Sequence, residues 1–408
     1  MSQNNRILAI LFFTLLLDMV GIGMLIPVIP SIFTDPESSS FLLQGHGEQY
    51  QLLMAGLLTA VAGLMQFVAA PLLGELSDVY GRKKLLILGI GLLAFSQLLF
   101  GIGIEMHLLW ILFASRVVAG LAGANFSIAQ AAIADITEPK HRARNFGLIG
   151  AAFGLGFILG PMLSGWLISV TGDAATPFWI AAGLGLVNVI SAAVFLPETH
   201  LVRGALQRFT LLKGVRNLQV AWRDKQARPV YLASFLTTSG FTFWTSFSTI
   251  FLVVSLGFTE QQNGTFFAAI GAWLIFTQGV VLRFLAKKYN EKQILRVMLP
   301  TLALSVAAFS FLSRNVSVYF LIPFLAIPNG LISANMGSLI SKSVSANKQG
   351  AALGINGSLI ALSQGVIPFV AGVGSGVLSL NMPFLTGGAL IFVAWYILSR
   401  DRKMVKPK

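Results

Sequence analysis

Residues 74–84 read Gly74-Glu75-Leu76-Ser77-Asp78-Val79-Tyr80-Gly81-Arg82-Lys83-Lys84, and they stand between two apolar runs, 50–74 and 84–104. A helix needs about 20 mostly apolar residues to cross a hydrocarbon core of about 30 Å, and each run supplies them. The polar stretch between the runs carries a net positive charge and a glycine suited to a tight turn. Two spans joined by a short basic loop are the repeating element of a polytopic membrane protein.

Outward from this hairpin the pattern recurs. Ten further apolar runs fall at 7–33, 108–136, 145–170, 177–197, 229–256, 263–286, 293–312, 316–341, 350–377 and 382–399. They are continuously apolar rather than alternating, so they read as helices and not as strands of an outer-membrane barrel. The first run is too long for a signal peptide, and no small-residue cleavage site follows it. Only 11% of the 408 residues are charged and 55% are hydrophobic, against about 25% charged in soluble domains. That excludes a soluble enzyme and a disordered chain. The absence of cysteine excludes disulfides and thiolate metal sites. The 41 glycines suit closely packed membrane helices. The expected fold class is an all-α integral membrane protein with twelve transmembrane helices in two pseudo-symmetric six-helix halves.

A net charge of +13 would suggest a nucleic-acid partner in a soluble protein. Here the distribution gives it another meaning. Of the 28 Lys and Arg, all but Arg116 and Arg314 fall in alternate loops, the termini and the longest polar stretch, 198–228. The positive-inside rule then places both termini and that central stretch in the cytoplasm, in a multi-pass protein of a cytoplasmic (inner) membrane, with no nucleic-acid partner. The stretch divides the chain into a first half, 1–200, a linker, 201–228, and a second half, 229–408. The halves are weakly self-similar. Ala124-Asn125 sits over Ala334-Asn335, and Gly147, Pro161 and Gly165 sit over Gly354, Pro368 and Gly372, at a nearly constant offset of 207–210. Repeated six-span halves are a transporter architecture, with substrate bound between them near the midplane.

Two charges lie inside spans. At 1.5 Å per residue, Asp18 is ~17 Å from the basic end of its span, and Arg116 is ~18 Å from the same face. A charge at that depth costs about 2.5–3.5 kcal/mol even on lenient insertion scales, so the two are expected to face a wet cavity, each other, or both. Asp18 is the candidate proton-coupling carboxylate. Arg116 either tunes it or binds an anionic substrate group, and a static ion pair is the structural alternative. Gln66, Asn125, Gln278, Asn335 and Asn356 are candidates to line a substrate cavity, and each could equally be an interhelical hydrogen bond. Trp244, in the cluster Phe241, Phe243, Trp244 and Phe247, could stack on a flat apolar ligand or belong to the core. No His or carboxylate cluster has metal-ligand spacing, so no metal site is expected. No phosphate loop with a Lys-Ser/Thr ending appears, so the expected energy source is a proton gradient and no cofactor.

Several motifs carry a family resemblance. The segment Gly74–Lys84 resembles the signature between the second and third helices of the major facilitator superfamily. It implies a gating role for Gly74, Asp78, Gly81, Arg82 and Lys83, with Gly74 allowing close packing and Asp78 pairing with cations or a helix N-terminus. The fifth span reads Gly147…Gly150…Gly154…Gly156-Phe157-Ile158-Leu159-Gly160-Pro161-Met162-Leu163-Ser164-Gly165, which is similar to the antiporter motif of drug–proton exchangers. It implies a bendable interface at Gly156, Gly160, Pro161 and Gly165. The stretch Leu17–Pro30 and the Arg116–Gly120 segment resemble the drug–proton antiporter branch, tetracycline efflux proteins in particular. The likeness covers most of residues 1–200 and fades in the second half. Tetracycline exporters also carry acidic residues inside their third and ninth helices, whereas 84–104 and 293–312 contain none.

The resemblance implies a secondary transporter and no enzyme. Its expected activity is proton-coupled export of hydrophobic or amphipathic small molecules by a functional monomer in the lipid bilayer. Rival readings are a symporter or exporter of a sugar, siderophore, lipid or other metabolite, and a transport-dead receptor or scaffold. An intramembrane enzyme would need a constellation of residues that a lone aspartate does not supply.

Overall fold

The computed structural model describes residues 3–137, 142–199, 213–313, 315–345 and 349–400. Residues 201–212 of the expected linker, and Arg314, lie outside them. Twelve described helices are long and apolar enough to span a membrane: Asn4–Phe33, Glu48–Tyr80, Arg82–Glu105, Leu109–Ile136, Leu148–Thr171, Thr176–Phe195, Arg228–Leu256, Glu260–Leu285, Glu291–Phe311, Ser317–Lys342, Gln349–Val377 and Met382–Arg400. These agree with the runs read from sequence, with one extension. The second span continues through the motif to Tyr80, so Glu75, Ser77 and Asp78 are helical and the turn is Gly81 alone. A short basic helix, Lys213–Arg223, precedes the seventh span.

Packing repeats between the halves. The first span packs on the fifth and sixth, and the third on the fourth and sixth. In the second half the seventh packs on the eleventh and twelfth, and the ninth on the tenth and twelfth. The fold is therefore all-α, with twelve spanning helices in two pseudo-symmetric halves.

By spatial contact the chain divides differently. One compact unit takes the described residues of Met1–His46, Leu64–Lys213 and Phe258–Gly271, and the other takes Gly47–Gly63, Gly214–Gly257 and Ala272–Lys408. Each unit thus includes one end of a span from the opposite half. Inside the first unit the start of the eighth span lies on the fifth: a Cβ on Gly264 would stand 2.5 Å from the Pro161 carbonyl oxygen, and one on Gly165 would strike the Glu260 carbonyl. Inside the second unit the start of the second span lies on the eleventh. A Cβ on Gly56 would strike the Pro368 carbonyl, and one on Gly372 would stand 2.7 Å from the Leu52 carbonyl. These partners correspond at the repeat offset: Gly56 with Gly264, Pro161 with Pro368, Gly165 with Gly372. Both seams bring backbone against backbone, which only small residues permit.

Three spans are interrupted. The first bends between Gly23 and Val28, where Pro27 supplies no N–H to the helix ladder. The fourth is two helices, Leu109–Leu121 and Asn125–Ile136, joined by a tight turn at Ala122-Gly123-Ala124. The eighth contains a wider π turn at Thr277–Val281, which includes Gln278. Interrupted spans free backbone groups inside the membrane, which survive only where protein or a cavity satisfies them. In the fourth span, the Gln66 Nε2 donates to the Gly123 carbonyl at 3.3 Å.

Candidate transport site

Asp18 sits in the middle of the first span and is only 4% exposed. Each carboxylate oxygen accepts one side-chain amide. Asn125 Nδ2 donates to Oδ2 at 2.9 Å, and Asn188 Nδ2 donates to Oδ1 at 3.2 Å. The Asn188 nitrogen also donates to the Thr14 carbonyl at 3.2 Å. The carboxylate is thus held by neutral donors from the fourth and sixth spans.

Arg116 is 6% exposed and does not pair with Asp18 among the described residues. Its guanidinium carbon lies 4.4 Å from the Phe100 ring centroid, and its Nε donates to Ser115 Oγ at 3.3 Å. One guanidinium nitrogen, Nη2, is buried without a hydrogen-bond partner. Of the arrangements expected for two midplane charges, the static ion pair is absent. A guanidinium over an aromatic face is attracted by the ring quadrupole, which offsets part of its desolvation.

At the basic end of the first half, Arg82 is the hub of a polar cluster. Its Nη2 pairs with Asp78, its Nε donates to Asp135 at 3.2 Å, and its Nη1 donates to Ser77 Oγ. The guanidinium is buried while Asp78 is half exposed. Glu198, after the sixth span, accepts the backbone N–H groups of Arg82 at 2.9 Å and Lys83 at 3.3 Å. Those N–H groups begin the third span, where they lack helical acceptors and the helix dipole favours a carboxylate. The Lys83 ammonium donates to the Ala193 carbonyl at 2.8 Å. The pairing expected of Asp78 with a cation is therefore present. Asp135 and Glu198 were not among the candidate residues.

The two motif glycines differ. Gly81 has φ +99° and ψ 149°, a conformation that side chains rarely adopt, and a Cβ there would strike Glu198. Gly81→Ala should destabilise the protein by about 1–3 kcal/mol through backbone strain, read as a lower melting temperature of the purified protein. An unchanged melt would mean that the turn relaxes freely. At Gly74, no atom of the described residues lies within 4 Å of where a Cβ would stand.

The second half keeps a counterpart of the Arg82–Asp135 pair with its signs exchanged. Glu291, opening the ninth span, pairs with Lys342, which closes the tenth, and accepts from Ser338 Oγ at 2.9 Å. Asp135 and Lys342 stand 207 residues apart, and Arg82 and Glu291 stand 209 apart. At the opposite, acidic end, Ser31 Oγ donates to Glu260 Oε1 at 2.9 Å. Burial pushes the nearby Asp35 carboxyl above its ordinary value, and the charges of Glu260 and Glu37 act in the same direction.

The antiporter-motif helix makes the contacts that its glycines allow. A Cβ on Gly160 would stand 2.6 Å from the Val20 carbonyl oxygen and 2.8 Å from Gly23 Cα, and one on Gly156 would strike Met19. Gly165 and the Pro161 carbonyl meet the eighth span, while the Pro161 ring also faces Gly23 of the first, so the motif serves two neighbours.

The remaining cavity candidates scatter. Gln66 and Asn125 bond across helices as described. Asn356 Oδ1 accepts from Ser234 at 2.7 Å, and Asn335 Nδ2 bonds to its own helix at Leu331, 2.7 Å away. Gln278 is half-buried within the π turn. Trp244 lines no open cavity: it is fully buried, with its ring 5.2 Å from Phe241 and 5.7 Å from Phe309, so it belongs to the core of the second half. Asn188, which holds Asp18, was missed by sequence reasoning. An asparagine in the uncharged sixth span was the available signal. Among the described residues, no group of three or more His, Asp or Glu could hold a metal ion.

Known proteins resemble this chain over most of its length. The tetracycline resistance protein, class C, of Escherichia coli is 30% identical over 389 residues, covering 89% of this chain and 87% of its own. Multidrug resistance protein 2 of Bacillus subtilis is 25% identical over 397 residues, covering 96% and 94%. The likeness thus runs through both halves and does not stop near residue 200. The solved human organic anion transporter shares the fold, with a TM-score of 0.75 and 22% identity over 98% of this chain and 100% of that one. The model of the Major Facilitator Superfamily matches residues 11–368. The chain belongs to that superfamily, and it is a secondary transporter related to tetracycline and multidrug efflux proteins rather than an enzyme.

Proposed function

We propose that the protein is a proton-coupled exporter of hydrophobic or amphipathic small molecules in a cytoplasmic membrane. It works as a monomer by alternating access, with both termini and the basic loops in the cytoplasm. The observation that carries this reading is Asp18, a lone carboxylate at mid-span held by neutral amides. A carboxylate so placed can gain and lose a proton without breaking an ion pair, and protonation biases one access state as substrate biases the other. Arg116, with an unpartnered guanidinium nitrogen, tunes that site or receives an anionic group of the substrate. The Asp78–Arg82 cluster gates the cytoplasmic side, and the Gly156–Gly165 face of the fifth span bends as the halves, 1–200 and 229–408, exchange access. The third and ninth spans carry acidic residues only at their ends, Glu105 and Glu291, which disfavours metal chelates as substrates.

The test is transport in proteoliposomes under an imposed proton gradient. A lipophilic dye should move uphill against the proton flow and stop when the gradient is collapsed. Movement in the same direction as the protons would overturn antiport and make the protein a symporter.

A further inference from the structure

The Asn125 amide has an unusual imbalance. Its Nδ2 donates to Asp18, while its Oδ1 is buried and has no hydrogen-bond partner. A buried acceptor without a partner is uncommon and calls for a cause. The Asn188 amide is different: its nitrogen serves both Asp18 Oδ1 and the Thr14 carbonyl, so turning it would break two bonds. Turning the Asn125 amide breaks one bond and sacrifices nothing at Oδ1.

Glycine at 89 leaves room for one end of that amide. Its Oδ1 lies over Gly89 of the third span, where any Cβ would collide with it. A protonated Asp18 needs an acceptor, and an amide N–H facing its O–H offers only a second donor. A half-turn of Asn125 replaces that donor with Oδ1. We infer that Asn125 reads the protonation state of Asp18 in this way, donating to the carboxylate and accepting from the acid. The inference rests on Asp18 being the proton site.

The location gives the turn a consequence. Asn125 is the first residue of the second helix of the fourth span, directly after the Ala122–Ala124 turn whose Gly123 carbonyl is held by Gln66. A change of partner at Asn125 therefore acts on the joint of an interrupted span. The elements packed on the first span bring no other charge to this depth. The third carries Arg82, Lys83, Lys84 and Glu105 at its ends, the second helix of the fourth carries Asp135 at its end, the fifth begins with Arg142 and Arg144, and the sixth has none. Arg116, on the first helix of the fourth span, packs over Phe100. Asn125 is a positioning residue in this scheme, acting through Asp18.

Infrared difference spectroscopy of the full-length protein during a pH titration tests it. The carboxylic acid band of Asp18 is assigned by its loss in Asp18→Asn. In the wild type an asparagine side-chain carbonyl band should change with the same midpoint, and Asn125→Leu and Asn125→Thr should both remove that change. Asn125→Leu, which neither donates nor accepts, should move the Asp18 midpoint to higher pH by about one to two units, as expected for one lost donor to a charged group. If the Asp18 band titrates while the amide band stays silent, or Asn125→Leu keeps the wild-type midpoint, the inference falls and the proton site stands. If no band lost in Asp18→Asn titrates, both fall. The wild-type amide band decides the matter even where Asn125→Leu fails to fold.

Discussion

Asp18→Asn should reduce gradient-driven transport to the level of empty liposomes while the protein still folds and inserts. The substitution keeps the size of the side chain and removes its only ionisable group. The new amide keeps an oxygen for only one of Asn125 and Asn188, and the other must turn its own oxygen toward the new NH2. Removing a buried charge relieves a cost of about 2.5–3.5 kcal/mol, so the variant should melt no lower than wild type. Downhill exchange of substrate should persist, because that requires the access change but no proton. Transport in proteoliposomes with and without a gradient, alongside a melting curve, separates these effects. Full gradient-driven activity in the variant would remove Asp18 from the mechanism. A collapse of folded yield would make it a structural residue.

Gly160→Leu should be the most damaging single change in the fifth span. The added Cβ alone would stand 2.6 Å from the Val20 carbonyl oxygen and 2.8 Å from Gly23 Cα. Both are backbone atoms of the first span and cannot swing aside as a side chain can. The helices must separate along the face that also carries Met19, next to Asp18. Overpacking of a tight interface costs about 1–3 kcal/mol, and backbone contact places this case at the upper end. Gly74→Ala is the control, since no atom of the described residues lies within 4 Å of a Cβ there and the change should stay within about 0.5 kcal/mol. Thermal melting of both purified variants makes the comparison. Equal melting temperatures would refute the close approach at Gly160.

The spans were legible because hydropathy and span length both read along one dimension. The second span was read short at Gly74 because hydropathy falls there. Helicity continues past that point, since polar side chains outside the hydrocarbon core do not break a helix. Counting residues along the spans put Asp18 and Arg116 at one height. Depth says nothing of direction around the helix axis, and Arg116 points to Phe100 rather than to Asp18. Asp135 and Glu198 meet Arg82 from 53 and 116 residues away, and no local pattern announces such partners. Trp244 shows the same limit, because an aromatic cluster looks alike in sequence whether it faces a ligand or the core. The second half resembled the family only faintly by motif, because Ala286 stands where the first half has Asp78. Its kinship lies in the small residues of the seams and in an ion pair with exchanged signs.

The reciprocal seams have an evolutionary reading. Each half lends the start of one helix to the compact unit built around the other, and the lent glycines, Gly56 and Gly264, meet prolines that also correspond, Pro368 and Pro161. Exchange of equivalent elements is also what a domain-swapped dimer shows. In such a dimer a single gene would write both seams, and one mutation would alter them together. In a single chain each seam can change alone. Glycine stands in both seams where backbone meets backbone, so the repeat is most exact in the places with the least room.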